Sequence, residues 1–304
     1  MDGPAPNGEG HDSDASLAKC TKALRGMDRL IVAFSGGADS SCLLALAART
    51  LGPTNVLAAV GVSPSLPQRE LVAARELAGR LGVELVEVPT GELNDPQYAA
   101  NPANRCYFCK HDLFTRLAEL ARSRGFSAII SGANADDAGD VRPGLAAGRE
   151  LGVRNPLMEA GLTKADVREL SRRMGLPTWD KPAMACLASR VPYGQPITAD
   201  RLARVEQAEN ALRDWGFVAC RVRDHDTVAR IEVPAEDFSR LLAVRDELVR
   251  RLKTLGFTYV SMDLGGLRSG SMNELLPRIG LVQHETSPQV ATGTNGAVAR
   301  CRNR

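Results

Sequence analysis

Long apolar runs, net charge and regular cysteine spacing are all scarce in this sequence. No uninterrupted apolar stretch approaches the ~20 residues that a membrane-spanning helix needs. The opening MDGPAPNGEGHDSDAS has neither a basic nor an apolar leader segment. A membrane protein is therefore not expected, and the reading is a cytoplasmic one. Charge of one sign is equally thin, with 38 Lys and Arg against 36 Asp and Glu, a net of +2. No strong field calls for nucleic acid, although acidic ligands can still be met locally. The seven cysteines are odd in number and follow no disulfide framework. In a reducing compartment a close thiol pair, such as Cys106 and Cys109 in RCYFCK, suggests metal or redox chemistry before a structural bridge.

What is present, in 304 residues of which 44% are hydrophobic, is enough for two cores. Residues 1–16 are rich in Gly, Pro, Asp and Ser and read as a tail. DRLIVAF (28–34) reads as a strand, SGGADSS as a turn and CLLALAARTLG as a helix. VLAAVGV (56–62) follows as a strand, 68–82 as an amphipathic helix, VELVEVP (83–89) as a strand, 111–125 as a helix and SAIISG (127–132) as a strand. This alternation predicts an α/β domain over 17–180, with a parallel sheet flanked by helices. Four prolines, Pro177, Pro182, Pro192 and Pro196, break up a segment at 181–197 and the residues before it. Beyond it, a helix capped by Thr198, a hairpin-like stretch at 219–233, a helix at 235–255 and a strand near 257–264 predict a smaller α+β domain over 198–276. Residues 277–304 again read as a tail. There is no internal repeat.

Chemistry concentrates first in SGGADS (35–40). After a buried strand, two glycines let the backbone approach a ligand, and the N–H groups opening the next helix point at an anion. The loop has neither the lysine of a Walker A motif nor the spacing of a dinucleotide fingerprint. It resembles the PP-loop of the N-type ATP pyrophosphatases, with Ser35, Gly36, Gly37, Asp39 and Ser40 at the matching positions. That resemblance implies ATP, held by its terminal pyrophosphate, and transfer of AMP to a substrate oxygen. SGANADD (131–137) ends another strand, where ligands of open α/β sheets gather. Alone, such a cluster is more often a turn or cap. Beside the first loop, the resemblance puts Gly132 and Asn134 near the nucleotide and makes Asp136 or Asp137 a magnesium ligand, hard oxygen donors being suited to that ion.

A third signal is KPAMACLASRVPYG (181–194). A lone Cys186 in apolar company usually packs as a small core residue, but Arg190, four positions on, favours a thiolate. NADDAGDVRPG, GLPTWDKPAMACLASR, ITADRLARVEQAE and RVRDHDTVARIEV, in that order, resemble the LarE family over roughly residues 17–275. These are ATP-dependent sulfur transferases of nickel-pincer nucleotide biosynthesis. The resemblance implies adenylation of the carboxylates of a pyridinium bis-carboxylic acid mononucleotide and replacement of AMP by sulfur. In single-cysteine members the residue matching Cys186 gives up its own sulfur and becomes dehydroalanine. Here Cys106 and Cys109 depart from that plan. With Cys186 they suit a [4Fe-4S] cluster that keeps one iron open for a sulfide from an external sulfide source. A three-cysteine zinc site, a redox disulfide and unrelated buried thiols are the other readings.

Arg221 and Arg223 share one face of a strand, with Arg230 opposite, and are read with Arg190 as clamps for substrate phosphate or carboxylates. A solvated face is the alternative. Glu206, Glu209 and Glu232 are structural or metal-binding. Cys20, Cys42, Cys220 and Cys301 are bystanders. A homo-oligomer is the expected assembly. Two rival functions share these features, a cluster-dependent tRNA thiolase and a non-catalytic nucleotide-binding iron–sulfur sensor.

Overall fold

The computed structural model describes residues 13–139, 142–182 and 185–268. The two central strands of the first sheet, at 30–33 and 56–62, are apolar because they are almost wholly buried, whereas the edge strand at 84–89 is largely open and carries Glu84 and Glu87. The strands of this sheet are β1 (Leu30–Ala33), β2 (Val56–Val62), β3 (Glu84–Pro89) and β4 (Ala128–Ser131), all parallel in the order β3-β2-β1-β4. Helices cover both sides: α1 (Ser13–Arg25), α2 (Ala38–Leu51), α3 (Gln68–Arg80), the short α4 (Pro96–Ala99) and α5 (Arg105–Arg124). After β4 come α6 (Pro143–Glu150), the short α7 (Pro156–Glu159) and α8 (Lys164–Arg173).

One core lies under α1, α2, α3 and α8, built around Leu30, Val32, Leu43 and Leu44. The opposite face of the sheet packs Ile31, Leu57 and Ile129 on Leu113, Phe114 and Leu117 of α5. Each such large side chain contributes about 1.5–3 kcal/mol on full burial.

The second sheet is mixed. Strands β5 (Arg221–His225) and β6 (Val228–Glu232) form an antiparallel hairpin, and β7 (Tyr259–Met262) pairs parallel to β6. It is covered by α9 (Ala199–Asp214), α10 (Phe238–Ala243) and α11 (Arg245–Thr254) around Leu212, Phe217, Ile231 and Leu252. Tyr98, Leu187, Val191, Leu202 and Val205 form a smaller cluster joining α4, the 187–190 turn and α9. No helix among the described residues is long and apolar enough to cross a membrane.

Several boundaries differ from those read in the sequence. Residues 13–16 belong to α1 rather than to a tail. Helix α5 starts at Arg105, not near 111, so Cys106 and Cys109 stand on its opening turns. The helix expected at 235–255 is interrupted at Val244. Residues 143–173 hold three helices unforeseen in the sequence, two of them opening on proline, which suits a first helical turn as well as it breaks an interior one. The tail over 277–304, and Cys301 with it, lies outside the described residues.

Candidate active site

In this sheet β2 and β4 flank β1, so the chain reverses direction across the sheet between β1 and β4, a crevice that open α/β sheets use for ligands. The loops after β1 and β4 meet there. Gly36 sits at φ +71°, a left-handed conformation that glycine adopts at no steric cost. Gly37 precedes the first residue of α2 with no side chain capping the helix N–H groups. Ser40 Oγ lies 3.0 Å from Ser35 Oγ and accepts from the Ser35 amide at 3.3 Å, which ties the loop into a ring. What remains is a set of backbone donors at a helix start, suited to phosphate.

The second loop is pressed against the first. A Cβ on Gly132 would stand 2.7 Å from the Ser40 amide nitrogen and 2.9 Å from its Cα, so only glycine lets β4 run past the start of α2. Gly132 is thus a packing residue of the crevice. Asn134 is buried, caps its own turn by accepting from the Asp136 amide, and hydrogen-bonds Asp39. Burial pushes the Asp39 carboxyl above its ordinary value, with Asp137 adding to the rise and Lys164 opposing it. Its Oδ1 is buried without a hydrogen-bond partner.

An orphaned buried carboxylate oxygen beside a second carboxylate is a donor set fit for magnesium. Asp136 and Asp137, the carboxylates expected to be its ligands, are already engaged. Asp136 accepts from the Lys164 amide at 2.9 Å. Asp137 accepts from the Asn134 amide at 3.1 Å and pairs with Arg142 at 2.8 Å. Asp136 is engaged through Oδ2 and Asp137 through both oxygens, and the buried carboxylate oxygen without a partner here is Asp39 Oδ1.

The thiols lie nearby. A cavity of about 140 Å³ is lined by Ser35 of the phosphate loop, Ser63, Ser65, Thr90, Glu92, Lys110, Cys109 and Cys186. Cys186 is exposed and Cys109 half-buried. The Cys109 thiol is pushed up to about 12, chiefly by burial, with the charges of Glu92, Cys186 and Cys106 adding. Cys106, though exposed as a residue, is also raised by the protein around it and by Cys186. The three thiols therefore sit in one another's field, and thiolates are the donors that iron and zinc prefer. As placed, they do not converge on one point: among the described residues no group of three or more Cys, His, Asp or Glu side chains is set to hold a metal ion.

The arginines divide. Arg190 is fully buried, not open to a substrate. Its Nε and Nη2 donate to Glu209 at 2.8 and 3.2 Å, and its Nη1 to the carbonyls of Ala185 and Cys186. Arg223 is likewise buried on Glu232, at 2.9 and 2.8 Å, with Nη1 donating to the Ser189 carbonyl. With these donors spent, both hold the Cys186 segment in place instead of clamping a ligand. Arg221 differs. It is half-buried and donates to the Arg268 carbonyl, and burial together with Arg223 and Arg190 lowers its pKa. An anion there would relieve that stress. The glutamates read as structural or metal-binding prove structural: Glu206 caps the Gln68 amide of α3, Glu209 takes Arg190 and Arg213, and Glu232 takes Arg223 and Arg230. Cys20, Cys42 and Cys220 are buried, with thiols pushed up by desolvation.

Two residues went unnoticed in the sequence. Glu92 is buried, accepts from Ser63 Oγ through one oxygen and has no partner for the other. Lys181 reaches the phosphate loop from the far segment, donating to the Gly36 carbonyl at 2.9 Å. Neither has a local sequence signal, since the partners lie 29 and 145 residues away.

The sequence is similar to those of known proteins. The NAD synthase family matches residues 15–123. Pyridinium-3,5-bisthiocarboxylic acid mononucleotide synthase of Lactiplantibacillus plantarum is 40% identical over 261 residues, 86% of this chain and 95% of that protein. The chain belongs to the LarE family. An uncharacterised protein of Synechocystis sp. is 44% identical over 256 residues, 83% of this chain and 94% of its own length. One from Methanocaldococcus jannaschii is 27% identical over 241 residues, 79% of this chain and 91% of its own. As a LarE protein with a phosphate loop at a parallel sheet, the chain is an ATP-dependent sulfur-transferring enzyme.

Proposed function

We propose that the chain activates the carboxylates of a pyridinium-3,5-biscarboxylic acid mononucleotide with ATP and replaces AMP by sulfur, a step toward a nickel-pincer nucleotide. The observation that carries this reading is the single cavity lined by both Ser35 and the Cys109 and Cys186 thiols. A carboxylate activated at the first is within one enclosure of the second.

In this reading Ser35, Gly36, Gly37 and Ser40 hold the pyrophosphate of ATP with backbone and hydroxyl donors. Asp39 would hold magnesium, which would supply charge neutralisation between the phosphates. Asn134 orients Asp39. A substrate carboxylate oxygen forms a bond to the α-phosphorus as the bond to pyrophosphate breaks. Arg221 meets an anionic group of the substrate. Sulfide then displaces AMP from the acyl carbon, giving a thiocarboxylate. Cys106, Cys109 and Cys186 are the residues that would hold a [4Fe-4S] cluster once drawn together, and such a cluster would supply sulfide to the acyl group. Arg190 and Arg223 fix the backbone around Cys186 on which this depends.

The test is turnover. Anaerobically reconstituted protein given ATP, magnesium and sulfide is expected to thiolate many equivalents of substrate, with Cys186 unchanged in mass. One sulfur per chain, together with dehydroalanine at 186, overturns the recycled-sulfide reading. Absence of pyrophosphate release with the dicarboxylate overturns the adenylation as well.

A further inference from the structure

The phosphate loop lacks a lysine of its own, yet one stands on it. Lys181 is mostly buried, with a side chain 19% exposed, and its ammonium donates to the Gly36 carbonyl at 2.9 Å and to Glu70 Oε2 at 2.6 Å. Glu70, on α3, is itself buried. An ammonium carries three protons and no acceptor. Two are spent on these partners, and the third belongs to a cation fixed at the edge of an anion cradle.

We infer that Lys181 is a direct ligand of the nucleotide's phosphates, supplied to the loop by the segment that carries Cys186. The inference rests on the ATP-binding reading above and deepens it. Fixing matters more than charge alone. A lysine on a flexible stem loses much rotamer freedom on binding an anion, whereas this one is already held by Gly36 and Glu70. Lys164 and Arg168 act on Asp39 by charge, on the side of the loop that faces the β4 segment, while Lys181 bonds the loop itself.

During adenylation the bond between the α-phosphorus and the bridging oxygen breaks, and pyrophosphate leaves with the electron pair. Lys181 sits where that added negative charge appears, so it stabilises the departing pyrophosphate more than the bound ATP. Glu70 keeps the ammonium in place but does not meet the nucleotide.

The experiment compares the full chain with Lys181→Met, Lys181→Gln and Lys181→Arg, using inorganic pyrophosphate, AMP and ATP as probes in calorimetry. It also follows pyrophosphate release with the dicarboxylate mononucleotide. Loss of the charge is expected to weaken pyrophosphate and ATP at least ~10-fold, leave AMP within ~2-fold, and lower kcat for pyrophosphate release by ~100-fold. Arginine should restore most of both. Should Lys181→Met fail to fold, Lys181→Gln, which retains a donor for Gly36, carries the comparison. Equal weakening of AMP and pyrophosphate would mean that Lys181 only props up the loop, and unchanged pyrophosphate affinity would mean that it touches no phosphate. Either result overturns the inference. A wild-type protein that binds ATP and pyrophosphate but releases no pyrophosphate with the dicarboxylate defeats the proposed substrate instead, and leaves the binding arms decisive for Lys181.

Discussion

The buried carboxylates of the two sheets differ: around the first, Glu70 and Asp137 are paired but Asp39 and Glu92 are not fully so. Around the second sheet each is doubly matched: Glu209 holds Arg190 and Arg213, Asp224 holds Arg201 and Arg204, and Glu232 holds Arg223 and Arg230. At the C-terminal edge of the first sheet, Asp39 and Glu92 each keep a buried oxygen with no hydrogen-bond partner. A buried polar atom left bare costs about 1–3 kcal/mol. The doubly matched set is architecture, and the other is where the proposed function finds a bare donor, Asp39, for a ligand. Arg190, Arg223 and Arg230, which look in the sequence like substrate clamps, fall in the matched set, while a glutamate with no motif around it falls in the other.

The largest effect should come from unbalancing the matched side. Glu209→Ala leaves the fully buried Arg190 with no counter-charge and removes the acceptor of the Val222 amide. A loss of about 3–5 kcal/mol in urea unfolding is expected. A loss below about 1 kcal/mol would show these pairs to be decorative.

On the unmatched side the signs of stability and activity should part. Asp39→Asn is expected to lower pyrophosphate release by ~10²–10³-fold while raising the melting temperature at neutral pH. Because burial raises the Asp39 pKa, its ionised form costs stability above the ordinary carboxylate range. That cost is relieved as pH falls through the raised value. The stability gap between variant and wild type should therefore narrow on acidification. A variant less stable than wild type at pH 7 would place Asp39 among the matched groups.

Smaller effects sharpen the contrast. Thr198→Ala removes the side chain that accepts from the Arg201 amide at the start of α9, costing about 1 kcal/mol. Activity should not change beyond what that instability explains. Cys220 and Cys109 keep their protons in the fold up to about 12, against an ordinary value of 9.0. Stability should then fall as pH climbs above about 9, because the unfolded chain releases those protons first. Cys220→Ala should flatten that alkaline limb, as measured by urea midpoints, and a limb of unchanged slope would exclude the thiol as its source.

Legibility in the sequence followed distance along the chain. Strand β1, the phosphate loop and α2 could be read because an apolar run, two glycines and a helical pattern are adjacent at 30–51. Thr198 was equally local. The start of α5 was missed because its N-cap, Asn104, makes no side-chain cap bond and leaves no signature. Helices α6 and α7 were hidden by Pro143 and Pro156, which read as breakers. The fates of Arg190 and Arg223 depended on Glu209 and Glu232, and that of Lys181 on Glu70, 111 residues away. Pairing over such spans is set by the fold, which a local pattern does not contain.

The 145 residues between Lys181 and Gly36 also order events in time. Contacts so remote in sequence close late, after local helices and neighbouring strands have formed. During synthesis, which proceeds from the N-terminus at about 5–20 residues per second, all four strands of the first sheet leave the ribosome before Lys181 does. The nascent chain thus acquires its sheet and glycine loop some seconds before the cation that completes them, and an intermediate caught in that interval would have the shape of the crevice without its full charge.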